Sequence, residues 1–293
     1  MMGMKNFSVS NRTKLLDITR QNEGLTYMQV LTRFLHERFL YRLSVSAYKG
    51  NFFLKGGALL YAHEQFNARP TLDIDFLGDK IDRDKQNIKQ AFQEICRIEC
   101  PEDGVVFDSG DNQIELEDIT LEKEYNGLRV HLTAHMDTIV QRFSMDIGFG
   151  DIIVPEAVEL DYPLLIEGLP PVNIGAYSLE TVVAEKFQTM IDRAESNSRM
   201  KDFFDVYGIL SGDKVNQVML AEAVREVFAN RGTGYTTDHP LFNPEFEKEP
   251  ARLRMWAGFL KKIHYRDELP FDVVISLIRE KLEPLWDALD DLH

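Results

Sequence analysis

The sequence predicts an α+β protein with a helical N-terminal segment, a core built on a mixed sheet and a helical C-terminal region. Three observations predict it. Apolar residues recur at helical spacing from Leu25 to Leu43, runs of alternating β-forming residues fill 104–150, and the chain after Ser178 reads as helix after helix. The expected division is 1–48 for the N-terminal helices, 49–175 for the core and 176–293 for the helical region.

A short helix is expected at 12–19. A longer one follows, with Tyr27, Met28, Leu31, Phe34, Leu35, Phe39 and Leu43 on its apolar side. The run Phe52-Phe53-Leu54 then meets Gly56-Gly57 and Ala58-Leu59-Leu60-Tyr61-Ala62, the pattern of a strand, a glycine turn and a helix. Residues 72–77 read as a strand entered through Pro70-Thr71, and 84–99 as a helix with Ile88, Phe92 and Ile95 on one face. Strand-like runs at 105–107, 114–119, 128–136 and 139–147 suggest an antiparallel meander. A stretch carrying Pro155, Pro163, Pro170 and Pro171 leads to Ser178, a good N-cap for a helix to about Asp192. Further helices are expected at 200–210, 214–230, 250–263 and 271–289.

Composition narrows the function. At 44% hydrophobic and 28% charged residues the chain can bury a sizeable core, and no run approaches a membrane span. With two cysteines, Cys96 and Cys100, and no apolar leader, a cytoplasmic protein is the expectation. A net charge of −15 argues against binding polyanions through total charge. Residues 1–50 nevertheless carry a net +5, including Arg33, Arg38 and Arg42, which reads either as an acceptor for a polyanion or as a solvated helix face. His131 and His135 lie in a β-like run where i,i+4 spacing separates them by about 13 Å, so they are not a zinc pair, and the two cysteines lack a second ligand pair. No P-loop, dinucleotide or hydrolase-elbow pattern occurs.

The densest chemical signal is Leu54-Lys55-Gly56-Gly57 followed by Arg69-Pro70-Thr71-Leu72-Asp73-Ile74-Asp75-Phe76. Asp73 and Asp75, two apart on an expected strand, leave the same face about 7 Å apart and suit a divalent metal, the plain alternative being a polar sheet face. Gly56-Gly57 either makes an ordinary tight turn or lets the backbone approach a phosphate at a helix start. Asp146, which interrupts a β run, offers a third carboxylate, and three suffice for two-metal phosphoryl transfer. Lys186 lies beside the apolar face formed by Val182, Val183, Phe187, Met190 and Ile191, where a cation either meets an anion or snorkels to solvent.

Together with Glu185-Lys186-Phe187 and Arg199-Met200-Lys201-Asp202-Phe203-Phe204-Asp205, this ordered set resembles the AbiEii/AbiGii toxins, which are DNA polymerase β-like nucleotidyltransferases. The resemblance spans about residues 25–210. It implies a polymerase β-like core in which Asp73 and Asp75 bind Mg2+ or Mn2+, Lys55, Gly56, Gly57 and Lys186 sit by the triphosphate, and Lys186 and Asp202 complete the active site. Asp205 competes with Asp202 for that role. Ala58 stands where these proteins often carry a hydroxyl, so backbone contacts must serve the phosphate there. The implied reaction transfers a nucleotidyl group from an NTP to an acceptor hydroxyl, with RNA such as tRNA as acceptor and pyrophosphate leaving; Asp146, read from the residues themselves, is expected to complete the metal set or act as base. The resemblance also implies a type IV toxin–antitoxin or abortive-infection system with a cognate antitoxin. A small-molecule nucleotidyltransferase and a non-catalytic nucleotide- or partner-binding module are the alternatives.

Overall fold

Eight strands of the computed structural model, which describes residues 6–71, 73–121 and 125–290, form one mixed sheet. The chain divides into two compact units, one made of the chain up to Gly150 together with Val158–Ala176, the other of Asp151–Ala157 and the chain from Tyr177 onward.

The first unit opens with α1 (Phe7–Gln21) and α2 (Tyr27–Ser44), the latter started by a capping box between Thr26 and Gln29. The strands are β1 (Phe52–Lys55), β2 (Ile74–Gly78), β3 (Val106–Phe107), β4 (Glu115–Leu121), β5 (Tyr125–Met136), β6 (Ile139–Phe149), β7 (Val158–Tyr162) and β8 (Val172–Ala176). Their order is β3-β5-β6-β2-β1-β8-β7, with β4 sharing an edge of β5. β4, β5 and β6 form the expected antiparallel meander, while β2 runs parallel to β6 and β1 parallel to β8. Helix α3 (Gly56–Glu64) follows β1 directly, and α4 (Lys85–Cys96) carries Ile88, Phe92 and Ile95 inward as expected.

Period-two alternation gives the sheet one apolar face, where Phe52 and Phe76 meet Phe92 of α4 and Phe39 of α2 at ring-centroid distances of 5.4–6.5 Å. Leu54, Ile74, Met145 and Ile147 are fully buried on that side. The opposite face is left for polar side chains.

Three expectations need correction. Residues 158–162 and 172–176 pair as strands, although the proline-bearing stretch reads as a lead-in; the prolines flank these strands and do not interrupt them. β2 begins at Ile74, so Asp73 stands just before the strand; Thr71 Oγ1 donates to the Asp73 carbonyl at 3.1 Å and takes an acceptor the ladder would otherwise use. Leu72, expected to face the core, lies outside the described residues. The basic residues of α2 are neither a polyanion acceptor nor a solvated face. Thirteen of its eighteen residues are buried, among them Arg33, Arg38 and Arg42. Arg38 meets Glu37 at 2.7 Å and the Pro170 carbonyl at 3.3 Å, and Arg42 meets Asp103 and the Val105 carbonyl, both at 2.8 Å. Arg33 lies over the Tyr61 ring, 4.6 Å from its centroid.

The second unit is helical: α5 (Leu179–Arg193), α6 (Met200–Ser211), α7 (Gln217–Asn230), α8 (Pro250–Lys262) and α9 (Phe271–Asp287). Ser178 caps α5 by accepting from the Thr181 amide at 3.1 Å. Phe187, Phe228, His239, Phe242 and Trp286 form its aromatic core. No helix among the described residues is long and apolar enough to cross a membrane.

Candidate active site

Register across the sheet assembles the polar face. Lys55 of β1 opposes Asp75 of β2, Asp75 opposes Asp146 of β6, Asp146 opposes Arg129 of β5, and Arg129 opposes Glu117 of β4. Five charged residues thus stand in one row on one face, each about 4.8 Å from the next strand. The two aspartates in the middle are like charges side by side, with Lys55 and Arg129 next to them as the flanking opposite charges. Asp73 belongs to the neighbouring row: its Oδ1 accepts from Ser144 Oγ of β6 at 2.6 Å.

Arg129 answers part of that charge. Its Nε and Nη2 each donate to one oxygen of Asp146 at 2.7 Å, a bidentate fork. These bonds, with the added pull of Asp146 and Asp73, hold the guanidinium pKa above its ordinary value. Neither Arg129 nor Ser144 is marked by sequence; only the strand register reveals them. Alternation within β5 groups Arg129 with its own i±2 neighbours, and it is the β5–β6 register that sets it opposite Asp146.

The glycine turn packs onto the acidic strand. Gly56 has φ +66°, which favours glycine, and a Cβ there would fall 2.7 Å from Asp75 Cγ. A Cβ on Gly57 would fall 2.8 Å from the Thr71 side chain. The Leu54–Gly57 run and the Arg69–Asp75 run, distant in sequence, are therefore in direct contact. Helix α3 starts here without a side-chain cap from Lys55, and Ala58 is buried, so any anion at this turn would meet backbone amides.

Carboxylates of this kind suit hard oxygen-seeking cations such as magnesium. Asp73 and Asp75 fit that task, and each oxygen of Asp146 accepts one bond from Arg129 and keeps a second lone pair for a cation. Among the described residues no three His, Cys, Asp or Glu side chains gather closely enough to hold an ion as they stand. His131 and His135 pair separately with Glu117 at 3.3 Å and Asp108 at 3.0 Å. Cys96 and Cys100 are buried free thiols, pushed up to about 12 and about 11 by burial, and so are not thiolates at neutral pH.

In the second unit Lys186 does meet anions. Its Nζ lies 2.7 Å from Asp202 Oδ1 and 2.8 Å from Asp205 Oδ2, and Arg199 Nε donates to Asp202 Oδ2 at 2.6 Å. Burial pushes the Asp202 carboxyl up, but Lys186 and Arg199 outweigh it and hold the group well below the usual range. Glu185, beside Lys186 on α5, meets Arg231 at 3.2 Å, and Arg231 also meets Asp151 at 2.9 Å. Ion pairs thus tie α5 to both α6 and the segment after α7.

The sequence profile of the nucleotidyl transferase AbiEii toxins of type IV toxin–antitoxin systems matches residues 38–289. The chain belongs to the AbiEii family. It is accordingly a nucleotidyltransferase by family, and type IV systems pair such a toxin with an antitoxin. Among solved structures, JHP933 from Helicobacter pylori matches at 17% identity and TM-score 0.52, over 92% of this chain and 99% of that one. An inferred nucleotidyltransferase from H. pylori matches at 16% identity and TM-score 0.51 over the same shares. At such identities these two establish a shared fold. No curated protein matches the chain. The AbiEii match covers both the sheet row and the α5–α6 cluster.

Proposed function

We propose that this AbiEii chain is a cytoplasmic toxin that transfers a nucleotidyl group from an NTP to a hydroxyl of RNA, tRNA being the natural form, with magnesium or manganese as cofactor. The observation that carries the reading is the contact between Gly56 and Asp75, which packs the glycine turn at the start of α3 directly against Asp75, the in-register neighbour of Asp146. Asp73 and Asp75 would hold the divalent cation, which when bound neutralises phosphate charge and activates the attacking oxygen. Lys55, Gly56 and Gly57 receive the triphosphate, the glycines by admitting it close to the backbone. Asp146, oriented by Arg129, serves as a further ligand or takes the proton of the attacking hydroxyl. Lys186 and Asp202 keep the active-site roles that the family resemblance implies for them, and Asp202 is the one of the two aspartates that also binds Arg199.

Incubation with magnesium, α-labelled NTPs and total RNA tests this. Label in RNA together with pyrophosphate release is expected, and both should vanish in Asp75→Asn. Pyrophosphate release with unlabelled RNA would move the acceptor to a small molecule. Absence of pyrophosphate with every NTP would refute nucleotidyl transfer and leave a binding module.

A further inference from the structure

The carboxylates of the sheet face are held in different ways. Asp75 lies within β2 and packs against the Gly56 turn, and Asp146 lies within β6 in the fork of Arg129. Asp73 has neither support, because β2 begins one residue after it and no lysine or arginine among the described residues pairs with it. Two hydroxyls take over. Thr71 Oγ1 holds the backbone of Asp73 by donating to its carbonyl at 3.1 Å, and Ser144 Oγ donates to its carboxylate Oδ1 at 2.6 Å. The second bond joins residues 71 apart in sequence, so the fold makes it and the local turn does not.

Ser144 stands two residues before Asp146 on β6, so alternation puts both side chains on one face. The β2–β6 register, continued by one residue, sets Ser144 beside Asp73 as Asp146 stands beside Asp75. On its other side Ser144 opposes His131 of β5, which is turned to Glu117 at 3.3 Å. The Ser144 hydroxyl makes no other hydrogen bond among the described residues, and β6 is already paired on both sides by its backbone. The strand therefore has no need of this hydroxyl for its own pairing. The choice of donor also matters. An arginine, as at Asp146, orients a carboxylate and offsets its charge, whereas a neutral hydroxyl orients it and leaves the charge whole. The bond uses one lone pair of Oδ1 and leaves the second there, with Oδ2, in a fixed plane for a cation. Both residues are half-buried, so an ion from solvent can reach that plane.

We infer that Ser144 is a positioning residue for the metal: it anchors Oδ1 of Asp73 and makes that carboxylate a pre-oriented ligand for a hard divalent cation. Bonds of this kind raise affinity because the ligand is ordered before the ion arrives. The inference rests on the reading of Asp73 and Asp75 as metal ligands and names a group that sets their affinity.

The test uses Mn2+ alone as the probe, with the full chain and no nucleotide, and follows free Mn2+ by its electron paramagnetic resonance signal. The wild type should bind Mn2+ at a site that Asp75→Asn removes. Ser144→Ala should weaken that binding by about 10-fold or more, as loss of a ligand's orienting partner does. Ser144→Thr keeps the hydroxyl, suits a strand and should restore binding. Ser144→Cys, a poorer donor of similar shape, should fall between the two and replaces the alanine variant if that fails to fold. In turnover, the Mg2+ concentration for half-maximal pyrophosphate release should rise by a similar factor in Ser144→Ala, with KM for the NTP little changed and the loss recovered at saturating Mg2+. The melting temperature without metal should fall by no more than about 2–4 °C, the scale of one hydrogen bond in a chain of this size. A much larger fall with Mn2+ affinity unchanged would make the bond a brace of the sheet and overturn the inference. Unchanged Mn2+ affinity in a well-folded Ser144→Ala, with binding lost in Asp75→Asn, would overturn it while leaving the metal reading standing. A wild type without any Mn2+ site that depends on Asp75 would sink both.

Discussion

Two groups of aspartates organise this protein, and they differ in how the chain neutralises them. On the sheet, Asp73, Asp75, Asp146 and Glu117 share a face on which the register also places Lys55 and Arg129 as opposite charges. Between α5 and α6, Asp202 and Asp205 meet Lys186 and Arg199 one for one, with both carboxylates nearly dry. The balanced cluster has its charge closed internally, and its ion pairs tie α5 to α6. The sheet row sets more acids than bases in register on one face, the arrangement on which the proposed metal-assisted transfer draws.

The largest effect should come from breaking the balanced cluster. Lys186→Met leaves two buried carboxylates without their shared cation and should cost about 3–5 kcal/mol, read as a lower urea midpoint. Asp202 adds a pH signature. Its folded pKa is depressed, so its stabilisation is present above the unfolded value near 3.9 and is lost as pH falls below it. Acid should therefore destabilise the wild type below about pH 4 more steeply than Lys186→Met. A variant within about 1 kcal/mol of wild type would show that the cluster is not cohesive.

A second buried charge runs the other way. Burial pushes the Glu37 carboxyl up to about 7 despite Arg38 at 2.7 Å and a bond from the Leu165 amide. A raised carboxyl contributes its stability below the unfolded value of 4.5 and loses it as pH climbs through about 7. The wild type should thus weaken by about 3 kcal/mol between pH 5 and 8, and Glu37→Gln should flatten that slope. Chemical denaturation at stepped pH reads both, and an equal slope in the two proteins would place the titration elsewhere.

Much of this was legible in the sequence because it was periodic. The helix containing Ile88, Phe92 and Ile95, the meander and the Ser178 cap follow from spacing and capping chemistry alone. β7 and β8 were not, since five-residue strands among prolines carry too little alternation to stand out. Charge misled in α2, where an arginine that will be buried over Tyr61 or beside Asp103 looks the same in sequence as one facing water. The residues of the candidate site were legible, but their arrangement was not. That Asp146 stands beside Asp75, and that Arg129 grips it, depends on a parallel β2–β6 pairing between segments some seventy residues apart.

Arg129 offers the next test of the contrast, since it is a strut placed inside the site. With its side chain 38% exposed, its pair with Asp146 should be worth no more than about 1 kcal/mol of stability. As the group that orients a reacting carboxylate it should matter more to rate. Arg129→Gln should lower pyrophosphate release about 10- to 100-fold while the melting temperature moves little. Arg129→Lys should recover only part, because an ammonium cannot grip both oxygens in one plane. Equal activity across all three would reduce Arg129 to surface pairing.

The smallest effect, and the one that decides what the sheet face is for, is the stability of Asp75→Asn without metal. The substitution keeps the shape that Gly56 packs against and removes one of two like charges in adjacent register. If the row carries excess negative charge, losing one unit relieves repulsion, and the metal-free variant should match the wild type or exceed it by a few tenths of a kcal/mol. An ordinary hydrogen-bonded surface aspartate would instead lose about 1 kcal/mol. Magnesium with an NTP separates the cases further. Ligand binding to the folded state alone should raise the wild-type melting temperature by mass action, and Asp75→Asn should lose that rise. A metal-free loss of 1 kcal/mol together with an unaltered magnesium response would make Asp75 part of the scaffold, and the sheet row would then be a strut like the cluster between α5 and α6.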